Sequence, residues 1–386
     1  MKKQNRTKQL TETGQALWLD YIHRDFLHDG DLQRCIDEDG VGGLTSNPTI
    51  FDQAISEGDR YDDAITSASA DGAGPEEVFH TLAVDDIQHA ADILRPVYER
   101  TEGKDGYVSL EVSPHLADDT EGTVNQALEL WERVDRPNLF IKVPGTKAGV
   151  PAIRRLIAGG INVNVTLLFG LERYDAVAKA YCLGLQDRLQ KNLPVDSIAS
   201  VASFFLSRVD VLADRQLGDY LDDHPSRSED AAPLKGSLAV ALARLAYEQF
   251  SRRFQGAEFA ELKAKGAQPQ RLLWASTGTK NPEERDVRYV EALIGPETIT
   301  TLPLKTFRAF RDHGDPTPRL HEDVEDARAI VAAFKSLGLD PEAMADDLEK
   351  EGVQKFIQPY DHLLEGLEKK IASVDSAAAD VGFVSR

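Results

Sequence analysis

The chain has 386 residues, enough for one large domain or two ordinary ones, and its 41% hydrophobic and 28% charged residues are ordinary for a globular protein. Its formal net charge of −21 argues against a nucleic-acid backbone or an anionic membrane as a partner. The same charge repels phosphorylated ligands on average, so a ligand of that kind would need a local basic pocket.

The cysteines and the N-terminal segment indicate a cytoplasmic protein. Cys35 and Cys182 are too few for a disulfide scaffold and are not at metal-ligand spacing, so we expect two reduced thiols. The basic start, residues 1–6, is not followed by the apolar core of a signal peptide, and no apolar run approaches the ~20 residues that span a bilayer. The nine histidines are scattered without paired ligand spacing, which argues against a metal site.

Short apolar or β-branched runs predict eight strands. In chain order these runs are 16–22, 41–46, 107–112, 139–144, 161–168, 198–206, 271–276 and 298–303. Helical periodicity follows most of them, which indicates parallel βα units. Eight such units favour a single (β/α)8 barrel, a TIM barrel of the α/β class. A doubly wound open sheet is the main alternative. It is weakened because the first strand is not followed by Gly-x-Gly-x-x-Gly and the chain has no P-loop.

Two stretches between strands, and the segment after the eighth run, are longer than a minimal barrel requires. Residues 48–106 predict three helices with a break near 71–75, and residues 207–270 hold a polar stretch at 222–230 before a helix from about Leu234 to Phe254.

Residues 320–372 also read as helical. We predict one helix from Pro341 to Glu351, with Asp340 as its N-cap, and another from Tyr360 to Ile371. We expect one elaborated domain with a core over about 16–372 and a flexible tail at 373–386.

Lys142 lies in the run Leu139–Pro144, where large apolar residues occupy both faces of the predicted strand. Burial disfavours the charged form of a lysine, and a neutral amine is a nucleophile for carbonyl carbon. Lys142 is therefore a candidate Schiff-base residue. The alternative is a strand-end lysine that extends its ammonium group to water.

Polar residues recur where the predicted strands end, which is where (β/α)8 enzymes carry their reactive groups. They are Asp20, Asn47, Glu111, Lys142, Asn164, Thr166, Ser203, Arg208, Ser276 and Lys280. Each has an ordinary alternative: Asn47 before Pro48 and Asp20 are candidate helix caps, Glu111 and Thr166 candidate rim residues, and Arg208 a candidate surface residue.

Asn162, Asn164 and Thr166 alternate along one strand and so share a polar face, which we expect to line a cavity because unpaired buried polar groups are costly. An amine, two carboxylates, two amides, a hydroxyl and a basic pair suit imine-based carbon–carbon bond chemistry with a phosphorylated substrate.

Three segments carry a family resemblance. Residues 44–51 (LTSNPTIF), 141–144 (IKVP) and 160–169 (GINVNVTLLF) resemble the transaldolases, class I Schiff-base aldolases, in order and with similar spacing from about Leu17 to Leu367. Residues 234–236 and 274–281 resemble the longer bacterial forms.

This resemblance implies catalytic roles. Lys142 would form the Schiff base, and Glu111 would act as general acid and base through a water shared with Thr166. Asp20 would accept the proton whose removal triggers cleavage.

The resemblance also implies substrate-binding roles. Asn47 and Asn164 would hold the dihydroxyacetone unit, and Ser203 and Arg208 would bind phosphate. Phe205 matches a phenylalanine of transaldolases, where the related fructose-6-phosphate aldolases carry tyrosine.

The chain departs from the family pattern after the seventh strand. There Ser276 is followed by Lys280, where shorter transaldolases have an arginine, and a lysine cannot bind phosphate through a bidentate fork. The polar insert at 222–230 has no assigned role.

The resemblance thus implies transfer of dihydroxyacetone from sedoheptulose 7-phosphate to glyceraldehyde 3-phosphate, without metal or other cofactor. The expected partners are small sugar phosphates, with neither nucleic acid nor membrane. The sequence does not choose between a monomer and a homodimer. A hydrolytic aldolase and a sugar-phosphate-binding protein without catalysis are the alternatives.

Overall fold

Eight parallel strands form a closed barrel in chain order, with β1 paired to β8. The computed structural model describes residues 5–70 and 72–383, with the side chains of 70, 230 and 374–383 excepted. The strands are β1 Ala16–Asp20, β2 Val41–Thr45, β3 Tyr107–Glu111, β4 Leu139–Pro144, β5 Val163–Leu168, β6 Ser200–Phe205, β7 Arg271–Ala275 and β8 Thr298–Leu302. The predicted (β/α)8 barrel is therefore confirmed.

Each predicted run contains one strand, although several runs extend one or two residues beyond it. Ile22 follows β1 and Ile161 precedes β5, and both are buried. The apolar core continues past the hydrogen-bonded ladder, so hydrophobicity overestimates strand length.

Helices surround the barrel and fill the long connections between strands. They are α1 Arg6–Glu12, α2 Arg24–His28, α3 Asp31–Arg34, α4 Pro48–Ser56, α5 Asp62–Ala70, α6 Pro75–Arg100, α7 Thr120–Val134, α8 Gly149–Gly159, α9 Leu171–Gln190, α10 Ser207–Asp223, α11 Ser228–Ala231, α12 Leu238–Phe254, α13 Ala257–Ala264, α14 Arg288–Ala292, α15 Leu304–His313, α16 Val324–Ser336 and α17 Pro341–Phe383. Single π or 3₁₀ segments occur at Cys35–Asp39, Pro114–Leu116, Pro225–Arg227 and Ala232–Leu234. In the described parts of the chain, none of the helices is long and apolar enough to cross a membrane.

The long connections largely follow the prediction. Residues 48–106 form three helices, α4 to α6, as expected. The polar stretch 222–230 contains the end of α10 and short helical turns. The helix expected from Leu234 begins only at Leu238, because Gly236 has φ +66° and a left-handed residue interrupts an α-helix.

The prediction of two separate helices after residue 341 is wrong. α17 is one helix that continues through Pro359, where the proline removes one backbone hydrogen bond. Its buried residues Phe356, Tyr360 and Leu363 lie on both sides of this proline, so packing against the barrel keeps the helix continuous.

The start and the end of α17 concern two further predictions, the N-cap Asp340 and the tail at 373–386. Asp340 caps its start as predicted, since its Oδ1 accepts the Glu342 N–H at 3.3 Å. The backbone is helical up to Phe383, and residues 384–386 of the expected tail lie outside the described residues.

Candidate active site

A cavity of about 770 Å³ opens at the C-terminal end of the barrel strands. Eight of the eleven predicted site residues line it: Asp20, Asn47, Lys142, Ser203, Phe205, Arg208, Ser276 and Lys280. The other three, Glu111, Asn164 and Thr166, belong to β3 and β5, the strands on either side of β4. The barrel therefore brings together strand ends that are far apart in sequence.

Lys142 is held inside the barrel end and does not extend to open solvent, since only 4% of the residue is exposed. Its Nζ donates a hydrogen bond to the carbonyl oxygen of Ser46 at 3.0 Å. Glu111 Oε2 lies 3.3 Å from the same nitrogen, because the β3–β4 register sets the two residues side by side. The amine thus has a carboxyl group within reach of proton transfer.

Glu111 is buried at the same depth as Lys142. Burial raises the pKa of Glu111 to about 7, although the neighbouring Lys142 charge acts in the opposite direction. Both protonation states are then populated near neutral pH, which suits a general acid and base. Among the described residues, Glu111 Oε1 and the buried Thr166 Oγ1 have no hydrogen-bond partner.

Asp20 lies at the end of β1 and does not cap a helix, since His23 is the N-cap of α2 and its Nδ1 accepts the Asp25 N–H. The Thr45 hydroxyl donates to Asp20 Oδ1 at 2.7 Å. Burial raises the pKa of Asp20, while the Lys142 charge and the Thr45 hydrogen bond lower it. A carboxylate of raised pKa is a stronger base than an exposed one.

Asn47 fills both of the roles that its sequence allows. Its Oδ1 accepts the Ile50 N–H at 3.0 Å and so caps α4, with Pro48 at the first helical position. The residue also lines the cavity, and the hydrogen bond to Ile50 fixes the orientation of its amide group.

Asn164 is fully buried next to Lys142 across the β4–β5 ladder. Its Nδ2 donates to Ser109 Oγ at 3.0 Å, and its Oδ1 accepts from Ser203 Oγ at 2.7 Å. Asn162 lies two residues earlier, just before β5 begins. There its side chain bonds the Pro137 and Leu139 carbonyls and the Ala199 N–H. None of Asn162, Asn164 and Thr166 lines the cavity, so the expected polar cavity wall along β5 is wrong.

Basic residues outnumber acidic ones around the cavity. Lys142, Arg208, Arg215, Lys280 and Lys355 line it together with Asp20 and Glu351. The local basic pocket that an anionic ligand would need therefore exists in this acidic protein.

Arg208 is the most enclosed of these cations besides Lys142, and burial lowers its pKa. Its Nη1 is buried and lacks a hydrogen-bond partner among the described residues. Ser276 has φ +54°, and its Oγ and carbonyl oxygen bond Ser207 Oγ and N–H at 2.8 and 3.1 Å. These bonds tie the loop after β7 to the start of α10, where Arg208 lies. Lys280 extends from the same loop and is exposed.

Sequence reasoning missed the contribution of α17. Leu348, Glu351, Lys355 and Phe356 line the cavity from this helix, which follows the last strand by almost forty residues. The strand-end rule cannot find residues on a distant helix. The available signal was the four-residue spacing of Leu348, Gly352 and Phe356, which places them on one helix face.

One group among the described residues could hold a metal ion: Glu77, His80 and Glu129. It lies on α6 and α7, and none of its members lines the cavity. Both carboxylates already pair with Arg133, at 3.0 and 3.3 Å.

A buried amine beside a carboxyl group at the C-terminal end of a (β/α)8 barrel is the arrangement that a lysine-dependent aldolase requires. The model of the transaldolase/fructose-6-phosphate aldolase family matches residues 17–367, and the chain belongs to this family. The chain is 48% identical to a transaldolase of Thiobacillus denitrificans over 93% of its own length and 99% of that protein. It is 46% identical to a transaldolase of Thermobifida fusca and 41% identical to transaldolase 2 of a Nostoc strain, each over 95% of the chain and 98% of the relative.

Proposed function

We propose that this protein is a transaldolase that moves a dihydroxyacetone unit from sedoheptulose 7-phosphate to glyceraldehyde 3-phosphate, giving erythrose 4-phosphate and fructose 6-phosphate. The observation that carries the proposal is the buried Lys142 amine, 3.3 Å from Glu111, at a cavity with a basic lining. Membership in the family supports the same activity.

In the first half of the reaction, Lys142 Nζ attacks the ketose carbonyl carbon and forms a carbinolamine. Loss of its hydroxyl as water gives the Schiff base, and that oxygen needs a proton as it leaves. Glu111 supplies this proton, directly or through a water that also binds Thr166. The pKa of about 7 supports this role, because a proton is available at neutral pH and can be recovered afterwards.

For cleavage, Asp20 removes the proton of the hydroxyl next to the bond that breaks. That hydroxyl becomes the carbonyl of the departing aldehyde, and the three-carbon fragment stays on Lys142 as an enamine. In the second half, the enamine attacks the carbonyl carbon of glyceraldehyde 3-phosphate, whose oxygen takes the proton back from Asp20, and water hydrolyses the new Schiff base to fructose 6-phosphate and free Lys142.

Asn47 holds a hydroxyl group of the three-carbon fragment, and the hydrogen bond from Ile50 sets the orientation of its amide, which supports positioning without reorganisation. Asn164 binds a second hydroxyl, and because its side chain is buried between Ser109 and Ser203, it must become accessible as the substrate binds.

The substrate phosphate binds at Arg208, with Ser276 and Lys280 close to it on the loop after β7. The unpaired Nη1 of Arg208 supports this role, since a buried guanidinium nitrogen gains most from an anionic partner. Ser203 donates its hydroxyl hydrogen to Asn164 and must rotate to donate to a phosphate.

Trapping with borohydride tests the proposal. Borohydride with fructose 6-phosphate should reduce the imine, inactivate the protein and add the mass of the reduced fragment or sugar to the peptide that carries Lys142. Lys142→Arg is the matched control, because it keeps a positive charge and forms no such adduct. Label on another lysine, or undiminished transfer activity after reduction, would contradict the assignment.

A hydrolytic aldolase is the second candidate, because the family description covers both activities. The apolar ring of Phe205 lines the cavity and packs on Phe169, with ring centres 5.2 Å apart, which favours transfer over release to water. Comparing free dihydroxyacetone with transferred product, with and without an acceptor aldehyde, separates the two. We also infer a cytoplasmic location, because Cys35 and Cys182 are free thiols, as is usual in a reducing compartment.

A further inference from the structure

Helix α17 places one aromatic ring beside two cationic groups of the cavity. The centre of the Phe356 ring lies 5.6 Å from Lys142 Nζ and 5.9 Å from Arg208 Cζ. Phe356 is buried and lines the cavity. Lys142 comes from β4 and Arg208 from α10, so a third element contacts both the nucleophile and the proposed phosphate-binding group.

The guanidinium group of Arg208 lies beside two aromatic rings. Its guanidinium carbon lies 5.7 Å from the centre of the Phe205 ring as well as 5.9 Å from that of Phe356. A cation near a ring face is attracted by the π electrons, and burial strengthens this attraction. The nearby Glu351 carboxylate pairs with Lys355. Arg208 is thus held in place while its Nη1 keeps its capacity to bind an anion.

The packing of α17 explains why Phe356 reaches this position. One turn earlier, a Cβ at Gly352 would lie 2.9 Å from Leu167 Cδ2 and 3.6 Å from the Phe169 ring, so glycine permits the close approach to β5. Glycine weakens a helix interior, and a packing reason therefore accounts for it here. The ion pair of Glu349 with Arg173, at 2.9 Å, holds the same part of the helix to α9.

We propose that Phe356 is a positioning residue that keeps Lys142 and Arg208 at a fixed separation. A ketose phosphate whose phosphate binds Arg208 then presents its carbonyl carbon to Lys142. The residue thereby favours phosphorylated over unphosphorylated ketoses. This inference rests on the proposed function and adds a specificity determinant from outside the barrel strands.

The experiment compares Phe356→Leu, which keeps an apolar side chain without a π face, with Phe356→Tyr, which keeps the ring. Steady-state transfer to erythrose 4-phosphate is measured with fructose 6-phosphate and with fructose as donors. For fructose 6-phosphate, kcat/KM should fall about two- to thirtyfold in Phe356→Leu, as expected for losing one desolvated cation–π contact. The fall in kcat/KM should be smaller with fructose as donor, and Phe356→Tyr should keep most of the wild-type activity.

A double-mutant cycle separates positioning from simple packing. If Phe356 acts through Arg208, Phe356→Leu should have little further effect on fructose 6-phosphate in an Arg208→Ala background. Phe334→Leu is the matched control, because this phenylalanine of α16 is also buried and does not line the cavity. Should Phe356→Leu fail to fold by circular dichroism, Phe356→Met gives the same comparison.

Three results would overturn the inference: equal losses for both donors, full additivity with Arg208→Ala, or unchanged efficiency in the folded variant. These failures differ from failure of the proposed function. A wild-type protein without transfer activity would overturn the proposed function, and this inference with it, before any variant is compared.

Discussion

The two ends of the barrel differ in whether their buried polar side chains are hydrogen-bonded. At the N-terminal end, Asn138 Nδ2 donates to the carbonyl oxygens of Ala91 and Gly106, both at 2.8 Å. At the C-terminal end, Glu111 Oε1 and Arg208 Nη1 are buried without a hydrogen-bond partner among the described residues. The first end uses this amide to connect the start of β4 with α6 and with the segment before β3, whereas the second leaves charged groups available to a ligand.

The kind of group left unpaired sharpens this contrast. The buried side-chain oxygens of Gln15, Asn138 and Gln270, which lie toward the N-terminal end, also lack partners in the described structure, but these are neutral amide oxygens. Leaving a charged group unpaired in the interior costs more than leaving a neutral one. An unpaired carboxyl oxygen and guanidinium nitrogen at one end therefore indicate groups that a substrate completes.

Packing at the N-terminal end is correspondingly tight. Trp18 Nε1 donates to Asp105 Oδ1 at 2.6 Å between β1 and the segment before β3. A Cβ at Gly42 would lie 2.1 Å from the Asp105 carboxylate, and one at Gly43 would lie 2.5 Å from the Trp18 ring. The two glycines of β2 thus make room for this pair, as expected for a barrel end devoted to stability.

The largest effect should come from the cavity end. Arg208→Ala should raise KM for fructose 6-phosphate about ten- to a hundredfold, because a charged hydrogen bond is worth roughly 1.5–3 kcal/mol. KM for fructose should change far less, since fructose lacks the phosphate. Steady-state kinetics on both donors measure this, and Lys280→Ala should show a milder loss because that lysine is exposed. Equal losses for both donors would make Arg208 a structural residue.

A substitution at Gly43, at the N-terminal end, should lower stability and leave activity unchanged. The added methyl group of Gly43→Ala meets the buried Trp18 ring, so the free energy of unfolding should fall by about 1–3 kcal/mol. The kcat and KM of the folded fraction should stay unchanged. Urea unfolding followed by Trp fluorescence, together with activity measurements, checks this. A loss of activity without a loss of stability would show that the two ends are coupled.

The smallest effect on stability concerns its pH dependence and compares one carboxyl group from each end of the barrel. Burial raises the folded-state pKa of Glu111 to about 7 and that of Asp105 to about 6. Each group therefore binds its proton more tightly in the folded state. Its contribution to stability is full below the unfolded pKa of roughly 4 and is lost as pH rises through the folded pKa.

Urea unfolding at pH 5 and pH 7.5 measures this contribution. Glu111→Gln and Asp105→Asn should each flatten the decline in stability between these pH values, by on the order of 1–2 kcal/mol for Glu111. Only Glu111→Gln should also abolish transfer, whereas Asp105→Asn keeps an acceptor for Trp18 and should remain active. An unaltered decline in both variants would mean that other groups control it.

Local sequence patterns predicted most of the barrel correctly. All eight strands lie within runs of apolar or β-branched residues, and Asp340 caps α17 as its position before Pro341 suggested. Where local signals were misleading, long-range packing was stronger. Two helices were predicted, at 341–351 and 360–371, yet contacts of α17 with the barrel hold one helix through Pro359.

The strand-end rule located most of the candidate site, since parallel strands end at the same face of a closed barrel. The expectation that the polar face of β5 lines the cavity was wrong. Alternation along a strand sets which side a residue faces but not how close it lies to the cavity. Asn162 therefore connects the segments that begin β4 and β6, at the N-terminal end of the barrel, while Asn164 lies beside Lys142.

The sequence by itself determined the barrel and placed polar residues at the strand ends, because these follow from periodicity and short-range order, and its family resemblance predicted Lys142 as the nucleophile. Only the tertiary structure decided that Glu111 stands 3.3 Å from Lys142 with a pKa near 7. It also decided that Phe356, more than 200 residues later, lies beside the same amine. Distances, burial and electrostatic shifts depend on which distant segments meet, and a local pattern carries no information about that.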